Sequence, residues 1–266
     1  MITTMQDVYT DLAAEAAELD ALVAGLDPAG WATPTPAPGW TVAHQIAHLG
    51  FIAHLAWAAA ADQAQFGRLA AAAAKDFGGA VDAALAEYLA GGPAETLTRW
   101  RAEQEAATKA LAAFPADQTV PWLVNPLPPS VLAAAGLMEL FGHGQDVYDA
   151  LGVRRVPTDR IGHLAFFGTR TRDFGYLARK LTPPAEPFGF ELTAPSGVVW
   201  KFGPDDAEQR IAGPALDFCL LVTRRRHHAD LALTATGEQA AGWLEIAQAY
   251  RGPAGEGRRP GQFDRS

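Results

Sequence analysis

The sequence is poor in thiols, in positive charge and in long apolar runs. One cysteine, Cys219, excludes a disulfide framework and any zinc site built from several thiolates, and it suits a reducing cytoplasm. Basic residues number 21 against 30 acidic ones, giving a net charge of −9. That balance excludes a nucleic-acid surface, which needs clustered Lys and Arg to neutralise phosphates. The longest weakly polar run, Leu49 to Ala61, is alanine-rich and holds His54, and it is too short to span a bilayer. Met1 to Leu12 has no basic stretch and carries Asp7 and Asp11, so it does not read as a signal peptide. No internal repeat is present, and nothing in the sequence sets the number of subunits.

What is present reads first as helix. Met5, Val8, Leu12, Ala16, Leu19, Leu22 and Leu26 recur at three- and four-residue steps, one amphipathic helix that Asp27-Pro28 stops. A Pro-rich passage from Thr33 to Gly39 leads to Thr41, the expected N-cap of a second helix through Ile46, Leu49 and Ile52. Gln63 to Gly92 reads as helix in pieces, interrupted at Gly78-Gly79 and Gly91-Gly92. Pro93 opens a third clear helix with Leu97, Trp100 and Leu111, closed by Pro115. A second Pro-rich passage, Pro121 to Pro129, precedes Ser130, the expected cap of a fourth helix reaching Leu151. The pattern predicts a four-helix bundle over residues 1–153.

Beyond Gly152 the pattern changes. Thr158 to Lys180 reads as a helix. Phe188, Phe190 and Leu192 alternate with polar or small residues, turn at Pro195-Ser196-Gly197, and alternate again through Val198, Trp200 and Phe202 as a hairpin. A helix through Phe218 and Val222, a strand at Leu231–Ala235 and a helix with Trp243 and Tyr250 complete a small α+β domain over residues 154–252. Its sheet is expected to be antiparallel, and residues 253–266 read as a loose tail.

Glu139 and His143 stand four apart, so they share one helix face with Leu132, Gly136 and Val147, which points into the bundle. A buried carboxylate is costly unless paired or bound to a metal. His48 sits among Ile46, Leu49 and Ile52 on the second helix, at a comparable height from its start. Three N/O ligands from two helices, with positions left open, make a catalytic divalent site. A plain Glu–His hydrogen bond, or Glu139 held by Arg99 or Arg101, is the alternative. His44, one turn before His48, is either a fourth ligand or a second-sphere donor. Cys219, between Phe218 and Leu220, reads as buried and inert.

Trp40-Thr41-Val42-Ala43-His44-Gln45-Ile46-Ala47-His48-Leu49 resembles the opening motif of the DinB-like, mycothiol-dependent maleylpyruvate isomerase superfamily, and Glu139-Leu140-Phe141-Gly142-His143-Gly144-Gln145-Asp146 resembles its fourth-helix motif. The likeness continues more loosely through Trp200, Asp217-Phe218-Cys219 and Arg224-Arg225. It implies a metal, usually zinc, on His48, Glu139 and His143, a sterol-carrier-like α+β domain, and mycothiol as co-substrate. His44 departs from the pattern, which has Asp there. Asp146 is expected to orient a ligand or to be a solvated helix charge. Arg225 is the candidate for a substrate or thiol carboxylate, against an arginine cluster that only favours a helix end. His227 and His228 read as surface residues. Trp31, Trp40, Trp122 and Asn125, from the two Pro-rich passages, are placed to frame the mouth, where the aromatics either bind a conjugated substrate or serve as lids over the core. The expected activity is a metal-dependent thiol transferase or isomerase acting on a small electrophile in the cytoplasm. The alternatives are a thiol-independent hydrolase or lyase and a non-catalytic metal-binding module.

Overall fold

The computed structural model describes residues 7–263, and the chain parts between Arg155 and Val156 into two units. In the first, Asp7 opens α1 (Val8–Val23) by accepting from the Thr10 amide at 3.2 Å. The expected earlier start at Met5 lies outside the described residues. Asp27 caps the single turn α2 (Pro28–Trp31) in the same way. The Pro-rich passage then closes on itself through a bridge between Pro34 and Thr41. From there run α3 (Val42–Ala61), α4 (Gln63–Lys75) and α5 (Phe77–Leu89). The break expected at Gly78-Gly79 falls two residues earlier. Asp76 ends α4 and caps α5 through the Gly79 amide at 2.9 Å, so a side-chain acceptor, not glycine flexibility, sets the boundary.

The unit continues with α6 (Gly92–Ala113) and α7 (Pro129–Leu151). Ser130 does not cap α7. The helix begins at Pro129, which has no amide to satisfy and is pre-set in φ for a first helical position. Gly152 ends it in the left-handed conformation at φ 64°. The bundle is α1, α3, α6 and α7: α3 packs on α6 and α7, and α1 packs on the same two. Leu12, Ile46, Leu49, Trp100, Leu111, Leu137 and Phe141 fill its core. Tyr88 of α5 presses so closely on α3 that a Cβ at Gly50 would lie 2.5 Å from its ring.

A buried clamp closes the bundle. Arg155, just past the end of α7, pairs with Glu15 of α1, donates to Gln145 Oε1 at 3.1 Å and to the Phe141 carbonyl at 3.2 Å, and lies over the Phe141 and Tyr148 rings.

In the second unit the expected helix over Thr158 to Lys180 is two, α8 (Ile161–Arg170) and α9 (Phe174–Leu177). Between them the Thr171 hydroxyl donates back to the Phe167 carbonyl at 2.9 Å, a local bond that competes with helix propagation. The hairpin is β1 (Phe188–Thr193) and β2 (Val199–Phe202), pairing Phe190 with Phe202 and Leu192 with Trp200. A further strand, β3 (Gln209–Pro214), runs beside β1 and parallel to it. Then come α10 (Ala215–Val222), a tight turn at His228–Asp230, β4 (Thr234–Thr236) and α11 (Glu238–Ile246). The sheet order β2-β1-β3-β4 is therefore mixed, antiparallel at both flanks and parallel at its centre. Phe190, Phe218 and Trp243 pack ring on ring over it, with 5.6 Å between Phe190 and Phe218. Residues 247–263 form no helix or strand but are tied down. The Gly261 amide donates to Asp230 at 2.9 Å, and Arg226 lies 3.9 Å over the Phe263 ring. No helix among the described residues is long and apolar enough to cross a membrane.

Candidate metal centre

Thr41 caps α3 as expected, and His44 completes the cap: the Thr41 amide donates to His44 Nδ1 at 3.3 Å, with the Thr41 hydroxyl 2.8 Å from the same nitrogen. That use of His44 keeps it out of the cluster one turn further on. Seven residues into α3, His48 is buried and turned toward α7. Glu139 and His143, on one face of α7, meet it there. Glu139 Oε2 lies 3.3 Å from His143 Nε2 and 3.8 Å from His48 Nε2, and the two imidazole centroids are 4.3 Å apart.

One candidate ligand atom from each residue lies within 4.8 Å of the other two. Donors held about 2.1 Å from a tetrahedral ion stand about 3.4 Å apart, close to both distances measured from Glu139. Burial presses Glu139 toward its neutral form. The adjacent imidazoles of His143 and His48, when charged, outweigh that and hold its carboxyl well below the usual carboxylate range. His48 Nδ1 is buried without a hydrogen-bond partner. Two imidazoles and one ionised carboxylate, half-buried and convergent, fit a borderline divalent cation. Neither arginine considered from the sequence competes for Glu139. Arg99 pairs with Glu87 at 2.9 Å, and Arg101 with Asp20 at 2.6 Å.

Sequence reasoning missed the residue behind His143. Gln45, fully buried, brings Oε1 to 2.6 Å from His143 Nδ1, and its Nε2 donates to Thr35 Oγ1 at 2.9 Å. The signal was available: an amide three residues before a ligand, in an otherwise apolar helix run, needs buried partners.

Of the residues expected at the mouth, Trp40 is there. Its ring centroid lies 5.3 Å from that of His48, 5.8 Å from that of His143, against which it stacks, and 6.4 Å from that of His44. Trp31 is buried in the core, Trp122 stacks on Phe66 at 6.1 Å, and Asn125 is exposed with its amide on the Pro126 carbonyl. Asp146 is fully buried on α7, which removes the solvated reading. Arg225, in the second unit, donates from Nη1 to the Thr223 carbonyl at 2.7 Å. Cys219 is buried, with its thiol toward the Ile161 carbonyl at 3.7 Å.

Comparison with known proteins bears on the fold and the family. Two uncharacterized proteins of Mycobacterium tuberculosis, from strains CDC 1551 / Oshkosh and ATCC 25618 / H37Rv, are each 50% identical over 248 residues, covering 93% of this chain and 96% of theirs. The crystal structure of the mycothiol-dependent maleylpyruvate isomerase superposes with a TM-score of 0.56 at 14% identity, over 88% of this chain and 93% of that one. A histidine-to-alanine mutant of that enzyme gives the same score at 13% identity. Residues 184–236 match a model described as wyosine base formation. A second model, described as the mycothiol maleylpyruvate isomerase N-terminal domain, matches residues 12–148, which is more than half of the chain. The protein therefore belongs to the mycothiol maleylpyruvate isomerase N-terminal domain family.

Proposed function

We propose that the protein is a divalent-metal-dependent enzyme, with zinc on His48, Glu139 and His143, that uses a mycothiol-type thiol to isomerise or conjugate a small electrophilic metabolite in the cytoplasm. The convergence of those three side chains on one point carries the reading. When bound there, zinc would favour the anionic form of a thiol at neutral pH and polarise a carbonyl. His48 and His143 offer imidazole nitrogens, and Glu139 brings the negative charge that offsets part of the ion's own. Three donors, with His44 occupied at the Thr41 cap, support an open coordination position over a closed structural shell. Trp40 walls one side, excludes water and offers a flat face to a conjugated substrate. We assign Asp146 to steadying the segment of α7 that bears His143, and Arg225 to recognising a carboxylate of the thiol or substrate.

The test starts with elemental analysis of protein purified without chelator, followed by turnover of small electrophiles with and without the thiol. About one zinc per chain and thiol-dependent turnover are expected. His143→Ala should lose both, and retention of stoichiometric zinc in that variant would refute the ligand set. Turnover without thiol would instead favour the hydrolase or lyase reading.

A further inference from the structure

Hydrogen-bond polarity behind His143 runs in one direction only. The Trp40 carbonyl can only accept, so the Thr35 hydroxyl, 2.9 Å away, gives it its single proton. Thr35 Oγ1 is then an acceptor toward Gln45, and the Gln45 atom 2.9 Å from it has to be the amide nitrogen. This fixes which way the amide is turned and presents its oxygen to His143 Nδ1 at 2.6 Å. An amide oxygen cannot donate, so Nδ1 carries the proton. In the neutral ring the lone pair is left on Nε2, the nitrogen 3.3 Å from Glu139 Oε2. A lone pair and a carboxylate oxygen facing each other at that distance repel unless a cation or a second ring proton lies between them.

We propose that Gln45 is the positioning residue of the metal centre. Braced by Thr35, it sets the tautomer and the ring orientation of His143, so that Nε2 is presented to the ion. The inference rests on the metal reading above and adds to it. One helix, α3, then supplies a ligand in His48 and the brace of the opposing ligand in Gln45. Gln45 itself is fully buried, so its amide depends on these two partners. Gln45 does not ligate; it acts through His143.

The experiment is a zinc affinity measured by chelator competition for the wild type, Gln45→Leu, Gln45→Glu and Thr35→Val, with the melting temperature of each zinc-free protein recorded beside it. A partner of a metal-bound histidine is worth about 10–100-fold in metal affinity. Gln45→Leu is expected to lose that much with its fold intact. Gln45→Glu, whose carboxylate accepts the same Nδ1 proton once the Thr35 hydroxyl turns to donate to it, leaving the Trp40 carbonyl to the Thr35 amide, should lose less than Gln45→Leu, and Thr35→Val should fall between them. Equal affinity in the wild type and Gln45→Leu would overturn the inference and leave the metal reading standing. A wild type that binds no zinc would remove the metal reading and this inference with it. Should Gln45→Leu not fold, the other two variants decide: the inference requires Thr35→Val to be weaker than Gln45→Glu, and the reverse order overturns it.

Discussion

At the scale of single residues, the candidate ligands stood out as a carboxylate and two imidazoles on apolar helix faces, but a plain Glu–His contact fitted them as well, and only the motif resemblance singled them out as a set. Their neighbours did not stand out. His44 and His48 share a helix face in sequence, and only the geometry separates a capping group from a cluster member. Gln45 looked like an ordinary amide because its two partners lie ten residues back and 98 residues ahead. Tyr148 is a third case, invisible without its neighbour. Burial, then its hydrogen bond to Glu18 at 2.9 Å and that carboxylate's charge, push its phenol up to about 12. An exposed tyrosine titrates near ~10. The folded chain thus holds the proton more tightly than the unfolded one. The associated stability is complete below about pH 10 and lost as pH rises through about 12. An ultraviolet difference titration between the wild type and Tyr148→Phe should accordingly centre near 12; a midpoint near that of exposed tyrosine would contradict the burial described here.

At the scale of elements, periodicity located the bundle helices to within a few residues, whereas their boundaries depended on particular side chains. Asp76 stops one helix and starts the next, a role that the glycine pair after it concealed. In the second unit β3 escaped notice because Gln209 and Arg210 open it and Gly213-Pro214 close it, leaving no alternation to read. Parallel pairing with β1 is a tertiary choice rather than a local one. The Arg155 clamp also belongs to this scale, since it joins α1 to α7. Both members of its ion pair are 6% exposed at the side chain, and removing one partner of a buried pair strands the other charge. Arg155→Ala should therefore cost about 3–5 kcal/mol in urea unfolding. Arg155→Met combined with Glu15→Leu should recover most of that loss, because the unpaired charge is then gone.

At the scale of the whole molecule, the sequence motifs led to a family that the chain does belong to, and the mixed architecture of bundle and small sheet is the one expected. The reaction was less legible, because nothing in the helix motifs describes the guest. A bound ion stabilises the state that binds it, by about 4 kcal/mol at a thousand times its dissociation constant. Thermal melts of chelator-treated protein should rise on adding zinc and fall again with excess chelator, while His143→Ala stays flat throughout. A wild type indifferent to zinc would leave the cluster as a polar contact between helices.

Trp40, in the loop before α3, joins the indole wall to the Thr35–Gln45 relay. The residue whose indole shields the imidazoles is also the residue whose carbonyl anchors the far end of the Thr35–Gln45 relay. If the cluster holds an ion, a guest molecule that displaces the Trp40 side chain would tug on the foundation of His143, and a change of ion would tug back on the indole. Among the seven tryptophans, Trp40 should be the one whose emission reports occupancy, a gauge wired into the centre by its own main chain.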